Sequence, residues 1–204
     1  MVALRTRFFP EPPLLPLQPR RSDYDLNPVA KPEFPRELAP AAVLVPIVRR
    51  ANPTVLFTRR TETLARHAGQ VSFPGGRVHT EDDSLVRTAL RETLEETGIA
   101  ESFVTVAGFL DAYETGTGFV ILPVVALLET GFLLDPNPHE VAEAFEVPLE
   151  FLLDVRNCRR EVRSLRGQLR EFDAFTFGQH YIWGATAAIL LNLRERLCGD
   201  ETGP

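Results

Sequence analysis

The chain has little covalent reinforcement. It carries only Cys158 and Cys198 among 204 residues, too few for a disulfide framework, so its stability must come from a packed core. Each thiol reads as buried or idle in a reducing, cytoplasmic setting. No apolar run approaches the roughly 20 residues that a membrane span needs. The N-terminal MVALRTRFFPEPPLLPLQPRR is broken by proline and does not read as a secretory signal. Positive charge is not in excess either: the formal net charge is −6 and the isoelectric point about 5.3. That argues against nucleic acid as a partner. An anionic small molecule remains open, because a metal ion and a few local arginines can supply the positive field it needs. No internal repeat is present.

What the chain does have is an ordinary globular composition, 44% hydrophobic and 25% charged, and enough length to bury one sizeable core. Proline is unevenly spread, with nine of seventeen before position 41. Residues 1–37 are therefore expected to form an extended arm with little regular structure. Leu14, Leu15, Leu17 and Phe34 are its candidate anchors. It packs either on its own domain or on the second subunit of a homodimer, and is expected to be dispensable for chemistry. Residues 38–198 form the domain and 199–204 a tail.

Within the domain, the β-branched run 42–48 predicts a buried strand, with Pro46 marking an irregularity or an edge. Asn52-Pro53 signals a turn into a second strand at 54–58, so the two suggest a hairpin. Further strands are expected near 71–73, 103–109, 119–128, 141–147, 160–165 and 171–177. A short helix is expected at 149–155 and a closing helix at 181–197, with Ile182, Ala185, Ile189 and Leu193 at helical spacing. Trp183 reads as packing. Strands and helices without strict alternation point to a mixed sheet covered by helices.

The most informative stretch runs from Gly75 to Ile99. Glu92, Glu95 and Glu96 stand at i, i+3 and i+4 and share one helical face. Val86, Leu90 and Leu94 form a second, apolar stripe. Thr80, Asp82 and Asp83 are candidate N-caps, and Gly98 suits a left-handed C-terminal position. Like charges at this spacing destabilise a bare helix. A hard divalent cation would offset them, and Arg91 adds a fixed positive charge beside them. The competing reading is a solvated acidic face after a turn.

The spacing from Gly76 to Arg91, Glu92, Glu95, Glu96, Gly98 and Ile99 resembles the Nudix box, the loop-helix-loop metal site of Nudix hydrolases. Thr93 stands where that pattern prefers an aliphatic residue, and the loop is one residue longer, which puts the early acidic position on Asp83. The same extra residue is a feature of the coenzyme A pyrophosphatase branch. Arg60, Leu64, His67, Gly69, Val71, Phe73, Pro74, Gly75 and Gly76 resemble a second stretch typical of that branch, with Ala65-Arg66 and His79 as departures. Two further stretches resemble it: Thr117 to Val125, and Pro138 to Leu149 with Glu140 at its start.

The resemblance implies an α/β/α sandwich with a mixed sheet. It implies a metal-dependent pyrophosphohydrolase that uses Mg²⁺ or Mn²⁺ and splits coenzyme A or acyl-coenzyme A into 3′,5′-ADP and 4′-phosphopantetheine. Glu92, Glu95 and Glu96 would hold the metal. Glu95, Glu96, Arg91 and Glu140 are the catalytic candidates, and the proton acceptor is one of the glutamates. Arg60, Arg66, His67, Gly75 and Gly76 are the candidates for substrate binding. Phe119 and Tyr113 are considered for stacking on a base, with core packing favoured for Phe119. The alternatives are another nucleoside diphosphate derivative or nucleotide, such as ADP-ribose, NADH or a dNTP, and a catalytically silent nucleotide sensor of the same fold.

Overall fold

The computed structural model describes residues 7–13, 16–34, 36–64, 67–165 and 167–199. In chain order the strands are β1 (Arg21–Ser22), β2 (Ala39–Val48), β3 (Thr54–Arg60), β4 (Val71–Ser72), β5 (Gly75–Arg77), β6 (Val104–Phe109), β7 (Tyr113–Glu114), β8 (Phe119–Leu128), β9 (Val141–Pro148), β10 (Cys158–Leu165), β11 (Gln168–Phe177) and β12 (His180–Trp183). The helices are α1 (Leu85–Thr97), α2 (Leu149–Leu153) and α3 (Ala185–Cys198).

β2 is the spine of a mixed nine-stranded sheet. It pairs in parallel with β8 along its whole length, from Ala39 with Phe119 to Val48 with Leu128. Both faces of such a strand are buried, and the alternating side chains serve two cores. Ala42 and Leu44 join Leu85, Ala89 and Leu90 of α1 on one face. Val45 and Ile47 join Ile189, Leu190 and Leu193 of α3 on the other, together with Phe175 and Ile182 of the small β10-β11-β12 sheet. The mixed α/β sandwich is as the pattern implied.

The β2–β3 hairpin forms as expected but stays paired only at Ile47–Val55 and Val48–Thr54. The strands then splay, and the segment around Pro74 fills the opening. β4 pairs with β3 on one side and β5 with β2 on the other, while the Leu44 N–H donates to the Pro74 carbonyl at 2.8 Å. Pro46 lies between the stretch of β2 that pairs with β5 and the stretch that pairs with β3. Its missing N–H therefore falls where the strand changes partners, inside the sheet and not at an edge. Gly75 sits in β5 with φ +151°, and a Cβ there would collide with the Ala42 backbone.

The closing helix is shorter than its spacing suggests. Tyr181, Ile182 and Trp183 belong to β12, paired antiparallel with β11, and Gly184, at φ +64°, precedes the first turn at Ala185. Ile182 is buried from a strand, which a helical period cannot distinguish over so short a run.

The arm packs on its own domain. β1 adds to the sheet beside β7, and Phe9 bridges to Phe109. Phe8 enters one core and Leu17 the other, so the arm wraps the β7 edge of the sheet. Polar anchors secure it. Tyr113 donates to Asp23 Oδ1 at 2.7 Å, Arg21 pairs with Glu195 and with the buried Asp111, and Asn27 exchanges hydrogen bonds with the Glu171 backbone. Of the anticipated anchors, Leu17 is buried and Phe34 is 80% exposed. Leu14 and Leu15 lie outside the described residues.

Candidate active site

α1 begins where Ser84 accepts the Arg87 N–H at 3.2 Å; the cap is Ser84, not Thr80, Asp82 or Asp83. It ends at Gly98, with φ +76°, whose N–H donates to Leu94 O at 2.9 Å. The helix is turned differently from the apolar stripe. Leu94 is 50% exposed, while Thr93 and Thr97 are buried with Leu85, Ala89 and Leu90. The threonines tolerate burial because their hydroxyls donate to the carbonyls four residues back, Thr93 to Ala89 at 2.7 Å and Thr97 to Thr93 at 2.6 Å.

This rotation carries Glu96 toward the sheet. Its residue exposure is 2%. The carboxylate accepts the Gly75 N–H at 3.3 Å and faces Arg60 Nη1 at 3.7 Å. Burial pushes its pKa up to about 8, opposed by Arg60 and the Gly75 N–H and reinforced by the charges of Glu92 and Glu140. Glu92 is raised in the same direction, mainly by burial. Its carboxylate lies so close to Gly76 that a Cβ on that glycine would sit 2.5 Å away. Glu95 lies outermost of the three, with a side chain 53% exposed.

Arg91 organises the remainder. Its Nη1 donates to Glu92 at 2.9 Å and to Glu95 at 3.0 Å. Its Nε and Nη2 grip Asp82 at 3.0 and 2.9 Å, and Nη2 also reaches the Arg77 carbonyl at 3.2 Å. Asp82 further accepts from the His79 N–H and the Thr88 hydroxyl, both at 2.9 Å. The Arg91 hydrogen bonds hold Asp82 well below the usual carboxylate range. The acidic partner of Arg91 is thus Asp82, one residue before the position that spacing assigns to Asp83.

From the opposite wall, Thr61 N–H donates to the Glu140 carbonyl at 2.9 Å, next to Arg60. The Arg60 Nε is buried and has no hydrogen-bond partner among the described residues. His67 is exposed, and its Nδ1 bonds Gln70 Oε1 at 2.8 Å. Arg66 lies outside the described residues. Tyr113 is buried against Asp23 and so cannot stack on a base. Phe119 is half-buried under the Arg77 guanidinium, 5.2 Å from the ring centre. Asp82 and Arg77 also build the site, through Arg91, beyond the residues that the spacing indicates. Only Asp82 had a legible signal, as an acid beside the box position.

Carboxylate oxygens alone make up the cluster on α1, the donor chemistry a hard divalent cation prefers. Among the described residues no three His, Cys, Asp or Glu side chains are drawn into a tight cation-binding group; Arg60 and Arg91 hold the carboxylates instead. The donor set therefore fits such an ion by chemistry, with the guanidinium contacts as its competitors.

A NUDIX domain model matches residues 38–166. The chain is 43% identical over 157 residues to the uncharacterized Nudix hydrolase NudL of Photorhabdus laumondii, covering 77% of this chain and 84% of that protein. It is 41% identical to the NudL of Yersinia enterocolitica over 77% of this chain and 80% of that protein. Among solved structures, the Nudix hydrolase RenU of M. smegmatis aligns over 84% of this chain and 91% of its own, with TM-score 0.53 and 17% identity. The NUDIX domain of Shewanella oneidensis NrtR, solved with ADP ribose, aligns over 86% and 97%, with TM-score 0.50 and 19% identity. At such identities the structural likeness concerns the fold alone.

Proposed function

Because this chain belongs to the Nudix hydrolase family, we propose that it is a divalent-metal-dependent pyrophosphohydrolase whose substrate is coenzyme A or an acyl-coenzyme A. The observation that carries the reading is the buried Glu96 carboxylate, set between the Gly75 N–H and Arg60 and within the charge field of Glu92 and Glu140. A carboxylate buried this deeply is costly unless a cation joins it.

Glu92, Glu95 and Glu96 would hold Mg²⁺ or Mn²⁺, which supplies charge neutralisation and a more acidic water. Gly75 and Gly76 let the backbone approach phosphate oxygens, and the partly exposed Arg60 guanidinium donates to them. Arg91 fixes the Glu92 and Glu95 carboxylates. Proton acceptance falls to Glu140 or to one of the helix glutamates. The branch of substrate rests on the Arg60-to-Gly76 resemblance. The intact glutamates weigh against a silent sensor.

A panel of coenzyme A, acyl-coenzyme A, ADP-ribose, NADH and dNTPs, run with Mg²⁺ or Mn²⁺ and with products weighed by mass, tests it. The expected result is 3′,5′-ADP with 4′-phosphopantetheine or its acyl form. Faster turnover of ADP-ribose or a dNTP would reassign the substrate.

A further inference from the structure

Across β3 from the glutamate cluster, on the side of Phe145 and the β10-β11-β12 sheet, lies a cleft of about 330 Å³. One wall is Arg59 of β3 with the loop that ends at Gln70; the other is formed by Gln179, His180, Tyr181 and Trp183. A second hollow against Arg59, Gln179 and His180 adjoins it. The cleft and the glutamate site share that loop, since the Arg60 N–H donates to the Gln70 carbonyl at 3.0 Å. Arg59 and Arg60 are consecutive, with a register shift between them where β3 pairs with β9. Arg60 serves Glu96 while Arg59 serves the cleft.

The charge of this cleft differs from that of a phosphate site. Among the described residues that line it, Arg59 is the one guanidinium, and it faces Glu143 at 3.3 Å and Glu62 at 4.0 Å. That positive charge is met by two carboxylates, and Arg163, over the Tyr181 ring, is paired with Glu161, so these residues do not favour an anion. What remains is neutral hydrogen-bonding and flat apolar surface. His67 occupies Gln70 Oε1, which leaves the amide N–H groups. His180 is stacked on Phe145 at 3.6 Å, and its buried Nδ1 has no partner among the described residues. Trp183 and Tyr181 add aromatic faces.

We propose that the cleft receives the uncharged, amide-bearing arm of the substrate, the pantetheine portion of coenzyme A, while the phosphates stay with Arg60 and the two glycines. This rests on the coenzyme A reading above. Paired amides suit Gln70 and Gln179, and a neutral chain is not repelled by Glu62 and Glu143.

Trp183 is the only tryptophan in the chain, so its fluorescence reports on the cleft directly and without turnover. The full-length protein is titrated with pantetheine, with pantothenate, which carries a carboxylate, and with 3′,5′-ADP. Pantetheine should shift the emission saturably in the millimolar range, whereas pantothenate and 3′,5′-ADP should not. Gln179 is exposed in the β11–β12 turn, so Gln179→Ala should fold normally. It should weaken pantetheine binding and raise the KM for coenzyme A by about five-fold, as loss of one neutral hydrogen bond does, with kcat little changed. Coenzyme A hydrolysis with no response of Trp183 to pantetheine would overturn the subsite and leave the substrate reading intact. A saturable pantetheine response without coenzyme A turnover would keep the subsite and overturn the substrate reading.

Discussion

At the scale of single residues, Glu96 carries the most consequence. Its carboxylate has a raised pKa, about 8 in the folded state against a reference of 4.5. A group raised in this way binds its proton more tightly when folded, so its contribution is fullest below the unfolded pKa and is lost as pH rises through the folded one. The metal-free protein should therefore lose stability between about pH 4.5 and 8, by a few kcal/mol at most, and level off above. Urea titrations across that range check this, and Glu96→Gln should flatten the curve. Mg²⁺ needs the deprotonated carboxylate, so its effect on Tm should grow over the same interval and be much smaller in Glu96→Gln. The substitution should also cut kcat by orders of magnitude, since the metal's contribution is worth several kcal/mol. A solvated acidic face would give unchanged kcat and equal Mg²⁺ shifts in both proteins. The glutamates themselves were legible from spacing. Their depth was not, because Thr93 and Thr97 can be buried by bonding their own helix, and periodicity scores them as polar.

At the scale of elements, the loop before α1 depends on one aspartate. Asp82 accepts from Arg91, the His79 N–H and Thr88, and its side chain is 5% exposed. Asp83 accepts the Ser84 hydroxyl at 3.2 Å and otherwise acts only through its charge on Arg87, among the described residues. Asp82→Ala leaves Arg91 short of its main partner and should cost about 3 kcal/mol, lowering Tm by roughly 6–12 °C for a chain of this size. Asp83→Ala should stay within about 0.5 kcal/mol. Thermal melts of the pair, with wild type, decide which acid serves Arg91; equal losses would contradict the assignment. Sequence spacing could not separate neighbouring acids in a loop with an inserted residue. It did locate β8 at its observed bounds, because a long apolar run between turn signals has few alternatives. The short β1 and β5 are another matter. Pairing with β7 and β2, far away along the chain, makes them strands, and no local pattern records that.

At the scale of the whole molecule, the arm is a structural member of the domain. Phe8, Leu17 and Tyr24 are each about 5% exposed, and a side chain on Gly108 would press on Phe8 and Phe9. Its described polar contacts fall on β6, β7, β11, α3 and the segments at Asp111 and at residues 115–116, and none of these is with Arg60 or Glu96. Phe8→Ala should therefore destabilise by about 3–4 kcal/mol while leaving kcat of the folded protein within a few-fold. Denaturant melts read beside steady-state kinetics would test this; a large loss of kcat at full stability would instead tie the arm to the chemistry. The order in which the fold closes follows from the spine strand. β2 meets β8 only through partners eighty positions apart, such as Ala39 with Phe119, and β3 must wait for β9. Such distant pairings slow folding to milliseconds or longer. Arg60, Gly75, Glu96 and Glu140 come from four segments joined by those pairings. A ribosome-bound chain that has not yet released β9 lacks the wall carrying Glu140, so the proposed site would be completed late in synthesis, together with closure of the sheet.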